Sequence, residues 1–219
     1  MTSLLSDLDL SVKIGIYSDE LEERGLVGRL VGNNHQTMNG VQLAGVFNRT
    51  EKAYGVSGAV FYNKLDKSYG VTAGLVNNVD KSYGLNLGGF NYLHSSRGIN
   101  SGFVNDVDDS RGINLAFLNA SDKSIGVDYA VFNYTKNLIG VQAGIANDVD
   151  KDAKGVQVGF MNRVGGELKG VQVGWFNGAD KGTYIQFGLL NFHPAKAGLP
   201  WYKKFIPFIG SWSPFIGWN

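Results

Sequence analysis

A short unit, Gly-Val-Gln-x-Gly-x-x-Asn, recurs about twelve times along this chain of 219 residues, at a spacing of 14 or 15 residues. Its first position is glycine in every unit except the last, where Tyr184 takes the slot. Self-similarity at a fixed period indicates an array in which each unit packs on its neighbours. The leading glycines are Gly25, Gly40, Gly55, Gly70, Gly84, Gly98, Gly112, Gly126, Gly140, Gly155 and Gly170.

Asparagine closes every unit, beginning with Asn33, Asn48 and Asn63. If the units stack in register, each side-chain amide can bond to its equivalent in the next unit, as amides do in stacked β structures. In an antiparallel arrangement, successive asparagines would lie at opposite ends of the sheet. The sequence therefore predicts a structural ladder formed by Asn77, Asn91, Asn105, Asn119, Asn133, Asn147, Asn162, Asn177 and Asn191.

The repeat alternates in the manner of a β-strand. An aliphatic residue follows the leading glycine and a polar residue follows that, as in Val141-Gln142 and Val156-Gln157. Alternation with β-branched residues favours strand, and two glycines in eight residues disfavour helix. All 4 prolines lie after the last unit, as a hydrogen-bonded sheet requires. We expect an all-β protein.

Two all-β architectures fit this pattern. In a β-solenoid each unit is one coil and neighbouring strands run parallel, whereas in an up-and-down β-meander or a 12-stranded β-barrel each unit is one strand and neighbours run antiparallel. The unvarying asparagine and the clustering of length variants in neighbouring units favour the first. We predict a single-domain β-solenoid of about twelve coils of 14–15 residues with terminal caps, and the meander or barrel is the alternative.

The repeat divides the chain into three parts. Residues 1–24 depart from it and are predicted to form an N-terminal cap or edge strand, and residues 25–191 form the array. Residues 192–219 are aromatic and contain the prolines, which indicates a C-terminal cap or contact segment. Two hypotheses for the ends are membrane contact through the aromatic tail, which Trp201, Trp212 and Trp218 would make, and homo-oligomerisation through a cap.

Charge and composition exclude several classes of function. The net charge is +1 and the basic residues are scattered, so nucleic acid is not a favoured partner. The chain has 0 cysteines, which removes disulfides and thiolate metal sites. Residues 1–10 do not resemble a signal peptide, and no apolar run is long enough for a transmembrane helix.

Few residues suggest catalysis or metal binding. His35, His94 and His193 occupy unrelated slots, so we expect them at turns or on the surface. Carboxylates spaced two apart at the turns are weak calcium candidates, although neighbouring lysines favour turn capping. We predict no enzyme and no cofactor, and the alternative is a carbohydrate-active β-helix that uses Asp108 and Asp150. The calcium candidates are Asp106, Asp108, Asp148 and Asp150.

The polar column of the repeat and the tail tryptophans are the candidate binding residues. The column would give a rigid array a repeated polar face for an unknown protein or glycan partner. The candidates are Gln142, Gln157, Gln172, Gln186, Trp201, Trp212 and Trp218.

Two units, GVQVGFMN at 155–162 and GVQVGWFN at 170–177, carry a resemblance. With the aromatic, proline-containing tail, the chain resembles the bacterial surface-repeat proteins that have tandem Gly-x-Gln-x-Gly-x-x-Asn units, found in spirochaetes and fusobacteria. The resemblance covers residue 25 to about residue 210. It implies a cell-surface or secreted location and, by analogy, a non-enzymatic role in adhesion or interaction. The alternating pattern also fits an outer-membrane β-barrel of about twelve strands, which is the alternative function.

Overall fold

A computed structural model describes residues 12–192 and 212–218. These residues are almost entirely β-strand and include no α-helix, so none that is long and apolar enough to cross a membrane. Contacts within the chain define two compact units, Met1–Val107 and Asp108–Asn219, which we describe separately. The strands are β1 (Val12–Ala44), β2 (Phe47–Ala59), β3 (Tyr62–Val149), β4 (Ala153–Val173), β5 (Phe176–Phe192) and β6 (Trp212–Trp218).

Equivalent positions of successive repeats pair in parallel. In the first unit Gly40 pairs with Gly55, and in the second unit Gly140 pairs with Gly155. Parallel pairing of consecutive repeats requires the chain to return to its starting edge within each repeat. The fold is therefore a parallel β-solenoid of about ten turns, which confirms the predicted class and corrects the meander or barrel alternative.

Each end of the described chain joins the coils of its own unit. The strand expected near the N-terminus belongs to β1, and Asn34 donates a hydrogen bond of 2.9 Å to Asp19 of the preceding coil. At the other end β6 pairs antiparallel with β5. Residues of β6 therefore satisfy backbone groups along the last coil, as expected of a strand that protects an open edge.

Four side chains of each coil point inward. In the turn that begins at Gly70 they are Thr72, Asn77, Val79 and Ser82, each at most 2% exposed. We call these four columns the Gln column, the Asn column, the Val column and the Ser column, after their most frequent or typical residue. The Gln and Asn columns are polar, the Val column is mostly apolar, and the Ser column changes from serine to apolar residues from Leu138 onward. The interior of this solenoid therefore combines hydrogen-bonded side chains with stacked apolar ones.

The Asn column forms the predicted ladder in both units. Each side-chain Nδ2 donates to the Oδ1 of the next asparagine, and most also donate to a backbone carbonyl, as Asn77 does to Leu87 at 2.8 Å. In the second unit the ladder runs from Asn119 to Asn191 with distances of 2.8 to 3.1 Å. In the first unit it runs at 2.7 to 3.0 Å through Asn33, Asn48, Asn63, Asn77, Asn91 and Asn105.

A small residue stands four places after the leading glycine because the ladder needs the space. A Cβ atom on Gly88 would lie 2.7 Å from Nδ2 of Asn77 and 2.9 Å from Oδ1 of Asn91. It would also lie 2.8 Å from the carbonyl oxygen of Gly74. The restriction of this position to glycine or alanine in most units therefore follows from the close approach of asparagine side chains to the backbone.

Replacing Gly88 tests this packing. We expect Gly88→Ala to lower the free energy of unfolding by about 2 kcal/mol or more, because the methyl group must displace two ladder amides. Gly28→Ala is the matched control, since a Cβ there meets nothing within 4 Å, and its effect should stay within about 1 kcal/mol. Urea unfolding measures both, and equal effects of the two substitutions would contradict the packing account.

Candidate interaction surface

The solenoid reverses the usual distribution of side chains. Gln142 and Asn177 are 0% exposed inside the coils, whereas Ile145 and Trp175 are 54% and 59% exposed outside them. Because the backbone alternates, placing the polar residue inward turns its apolar neighbours outward. The exterior of the repeat is consequently where the large apolar side chains lie.

We define the apolar face as the outward side chains that stand one, three, five and six places after the leading residue in the second unit. None of them carries a charge. The first unit has exposed apolar residues in the same columns, such as Leu75 and Phe103. The members of the apolar face are Ile113, Leu115, Phe117, Leu118, Val127, Tyr129, Val131, Phe132, Val141, Ala143, Ile145, Ala146, Val156, Val158, Phe160, Met161, Val171, Val173, Trp175, Phe176, Ile185, Phe187, Leu189 and Leu190.

A groove runs along this face over the column of small residues. Its floor includes Gly144 and Gly159, and its walls include Val158, Phe160 and Trp175. The volume of the groove is about 630 Å³. The rings of Phe160 and Trp175 lie 5.3 Å apart in neighbouring coils, so the aromatic wall is continuous there. The glycines that make room for the ladder thus also shape the outer surface.

The residue before each leading position forms one rim of the apolar face. In the second unit this rim contains three cationic residues, three uncharged residues and no acidic residue, and the cationic ones are Arg111, Lys154 and Lys169. All three cationic side chains are exposed. Two of them also make exposed ion pairs, Arg111 with Asp109 at 3.7 Å and Lys169 with Glu167 at 3.0 Å.

The four candidate glutamines do not form an exposed polar face. Gln142, Gln157, Gln172 and Gln186 are at most 1% exposed, so a protein or glycan partner cannot reach them. They form a second ladder instead, in which each Nε2 donates to the preceding Oε1 at 3.0, 2.7 and 2.6 Å. The expectation is corrected because the polar side of the alternating strand is the inner side.

The tail tryptophans are described only in part. Trp201 lies outside the described residues. Trp212 and Trp218 are the end residues of β6, and their backbones pair with Phe192 and Ile185. Their role in binding stays a prediction.

The acidic candidates for calcium are distributed along the charged turns. Asp148 is engaged by Arg163, whose Nη1 donates to it at 2.9 Å, and Asp106, Asp108 and Asp150 are exposed. Among residues 12–192 and 212–218, no three histidine or acidic side chains form a group that could hold a metal ion.

The histidine prediction needs one correction. His94 is exposed, and His193 lies outside the described residues. His35 is 3% exposed, and burial lowers its pKa, while a contact of 3.3 Å between its Nδ1 and the carbonyl oxygen of Glu20 acts in the opposite direction. His35 is buried because its slot belongs to the inward Val column, where it pairs in register with Thr50.

In the first coil, part of the buried interior is formed by an ion-paired side chain, that of Glu23. The carboxylate of Glu23 is fully buried and pairs with Lys13 at 3.2 Å and with Arg29 at 3.6 Å. Arg29 also donates to the carbonyl oxygen of Lys13 at 2.8 Å. A buried carboxylate needs such partners, because the desolvation of an unpaired charge costs roughly several kcal/mol.

Asp128 occupies a special place in the Gln column. It accepts a hydrogen bond of 2.6 Å from Asn114 and one of 3.0 Å from Ser124. The later ladder donates in the opposite direction, from Gln186 back to Gln142. A carboxylate only accepts, so Asp128 ends the forward direction of donation, and Gln142 in the next coil donates to Thr135 at 2.9 Å. Burial raises the pKa of Asp128, and the hydrogen bonds from Asn114 and Ser124 lower it in part.

No protein-family model, curated protein or solved structure matches this chain. The resemblance to bacterial surface-repeat proteins therefore stays a prediction from the repeat itself.

The buried carboxyl of Asp128 should make stability depend on pH. The native carboxyl holds its proton more tightly than the unfolded one, whose ordinary pKa is 3.8. The resulting stabilisation is present at pH below 3.8 and is lost as the pH rises through the native pKa. We expect the wild type to lose stability relative to Asp128→Asn as the pH rises above 3.8.

Urea unfolding across that pH range measures the difference between the two proteins. Asp80→Asn, which removes an exposed carboxyl, is the matched control for the loss of one carboxylate. A difference between wild type and Asp128→Asn that does not change with pH would contradict the assignment.

Proposed function

We propose that this chain is a non-enzymatic scaffold that presents its apolar face to a binding partner. The observation that carries the proposal is the reversal of side chains, polar inside and apolar outside. The cell-surface or secreted location and the adhesive role implied by the resemblance belong to the same proposal.

The size of the apolar face supports an interaction role. Each coil rises about 4.8 Å and the six residues that span the face extend about 20 Å, so six coils of the second unit present about 600 Å². That is at the upper end of the apolar patches found on monomeric proteins. Covering it would contribute on the order of 15 kcal/mol before the costs of association.

The rigidity of the coils supports the scaffold role. Backbone hydrogen bonds join each coil to the next, as Trp175 does to Phe160 at 3.1 Å and Leu190 does to Trp175 at 2.9 Å. Two side-chain ladders fix the interior of the same coils. A surface held in this way loses little conformational freedom on binding, and this preorganisation strengthens association.

A triple substitution on the apolar face tests the proposal. The wild-type protein is immobilised, and proteins, glycans and vesicles are passed over it to find which of them it retains. We expect a variant that combines Ile145→Ala, Phe160→Ala and Trp175→Ala to lose binding of those retained ligands. Because these side chains are largely exposed, the melting temperature should fall by less than about 4 °C. Lys123→Ala with Lys151→Ala, on the charged side, is the control and should bind like the wild type. A wild type that retains nothing, or a face variant that binds equally, would contradict the proposal.

A further inference from the structure

We infer that the apolar face docks on the surface of an anionic phospholipid bilayer. This inference rests on the proposed function, since it names the partner of that same face. Three features of the second unit carry it: the scarcity of hydrogen-bonding groups on the face, the basic rim, and the mixed-charge side that remains in water.

The face offers almost nothing for a polar partner to bind. Protein interfaces carry about one hydrogen bond per 100–200 Å², so a face of about 600 Å² would be expected to provide three to six. Here the only side-chain polar groups are the hydroxyl of Tyr129 and the indole nitrogen of Trp175. Backbone groups are used between coils, as in the bond from Trp175 to Phe160. A surface that lies against lipid hydrocarbon must have few polar side chains and hydrogen-bonded backbone groups, because hydrocarbon cannot form hydrogen bonds with exposed polar groups.

The rim supplies the electrostatic part of the match. Arg111, Lys154 and Lys169 project beside the apolar face with no acidic residue in their column. Long basic side chains can lay their methylene stems along apolar surface while their charges meet lipid phosphates. Tyr129 and Trp175 add amphipathic rings of the type that favours the membrane–water interface.

The opposite side of the same coils carries charges of both signs. Lys136 pairs with Asp122 at 2.6 Å there, and Lys123 and Lys151 are exposed. An element with one apolar side, one charged side and basic residues at the boundary lies in the plane of a membrane surface and does not span it.

A second copy of the chain fits the face less well. A standard protein interface buries about 800 Å² on each partner, and the face of the second unit presents about 600 Å². Self-association is therefore an outcome that the experiment must distinguish from membrane binding.

The chain contains 0 cysteines, so single cysteines can be labelled selectively. We would place the environment-sensitive fluorophore NBD at Ile145→Cys on the face, which is 54% exposed in the wild type, and at Lys123→Cys on the charged side. Both full-length proteins are mixed with vesicles of phosphatidylcholine alone or of phosphatidylcholine and phosphatidylglycerol in equal parts. Flotation measures binding, emission reports the surroundings of the label, and light scattering without vesicles reports the oligomeric state.

We expect both proteins to float with anionic vesicles and far less with neutral ones. The label at position 145 should shift to the blue on binding, and the label at position 123 should not. Lys154→Gln with Lys169→Gln should weaken binding to anionic vesicles by about fivefold for each charge removed. Lys123→Gln with Lys151→Gln changes the net charge equally and should leave binding unchanged.

The remaining outcomes separate the two proposals. One outcome is that the protein does not float with vesicles but forms dimers, that the emission of the label at position 145 shifts to the blue in those dimers, and that the triple face variant does not form them. That outcome would overturn the membrane inference and leave the interaction role standing. A monomer that neither floats nor shifts the label at position 145 would overturn the membrane inference and count against the proposed function. Equal loss of binding in the two lysine pairs would show nonspecific charge attraction and overturn the docking geometry.

Discussion

The hydrogen bond between asparagine side chains of successive coils is the interaction from which the other features of this structure follow. An asparagine amide can donate and accept along the same axis, so identical residues satisfy one another only when the coils stack in parallel. Asn77, for example, accepts from Asn63 and donates to Asn91, both at 2.8 Å. The ladder requires a small residue at its side, as at Gly88, and it commits one inner position of each strand to a polar residue. The apolar exterior is the consequence.

The other inward columns adjust to one another in size and hydrogen bonding. Where the Gln column contains a short residue such as Asn86, the Ser column provides Ser82, and the two side chains exchange bonds of 2.8 and 3.0 Å. Where the Gln column contains Gln157 or Gln172, the Ser column contains Ala153 or Leu168, and the glutamines bond to each other. Asp128 stands between these two arrangements along the Gln column and accepts a hydrogen bond from Asn114 of the preceding coil.

The parallel solenoid and the ladder could be predicted because both depend on residues that recur at identical positions. The orientation of the strand could not be read as easily, since alternation defines two sides without stating which is inner. For this reason the sequence predicts the glutamines outside, although the absence of charge at the positions one, three, five and six places after the leading residue in the second unit was a signal of the apolar exterior. His35 could have been placed correctly from its column, which contains Thr50 and Leu65, because a shared register implies a shared side.

Adjacent asparagines give the most direct test of the ladder. Asn77 is 0% exposed within it, whereas Asn78 is half-buried and points outward. Asn77→Ala removes one acceptor and one donor from buried neighbours, so the free energy of unfolding in urea should fall by about 3 kcal/mol. Asn78→Ala should change it by less than about 0.5 kcal/mol. Equal effects of the two substitutions would contradict the claim that the asparagine ladder organises the fold.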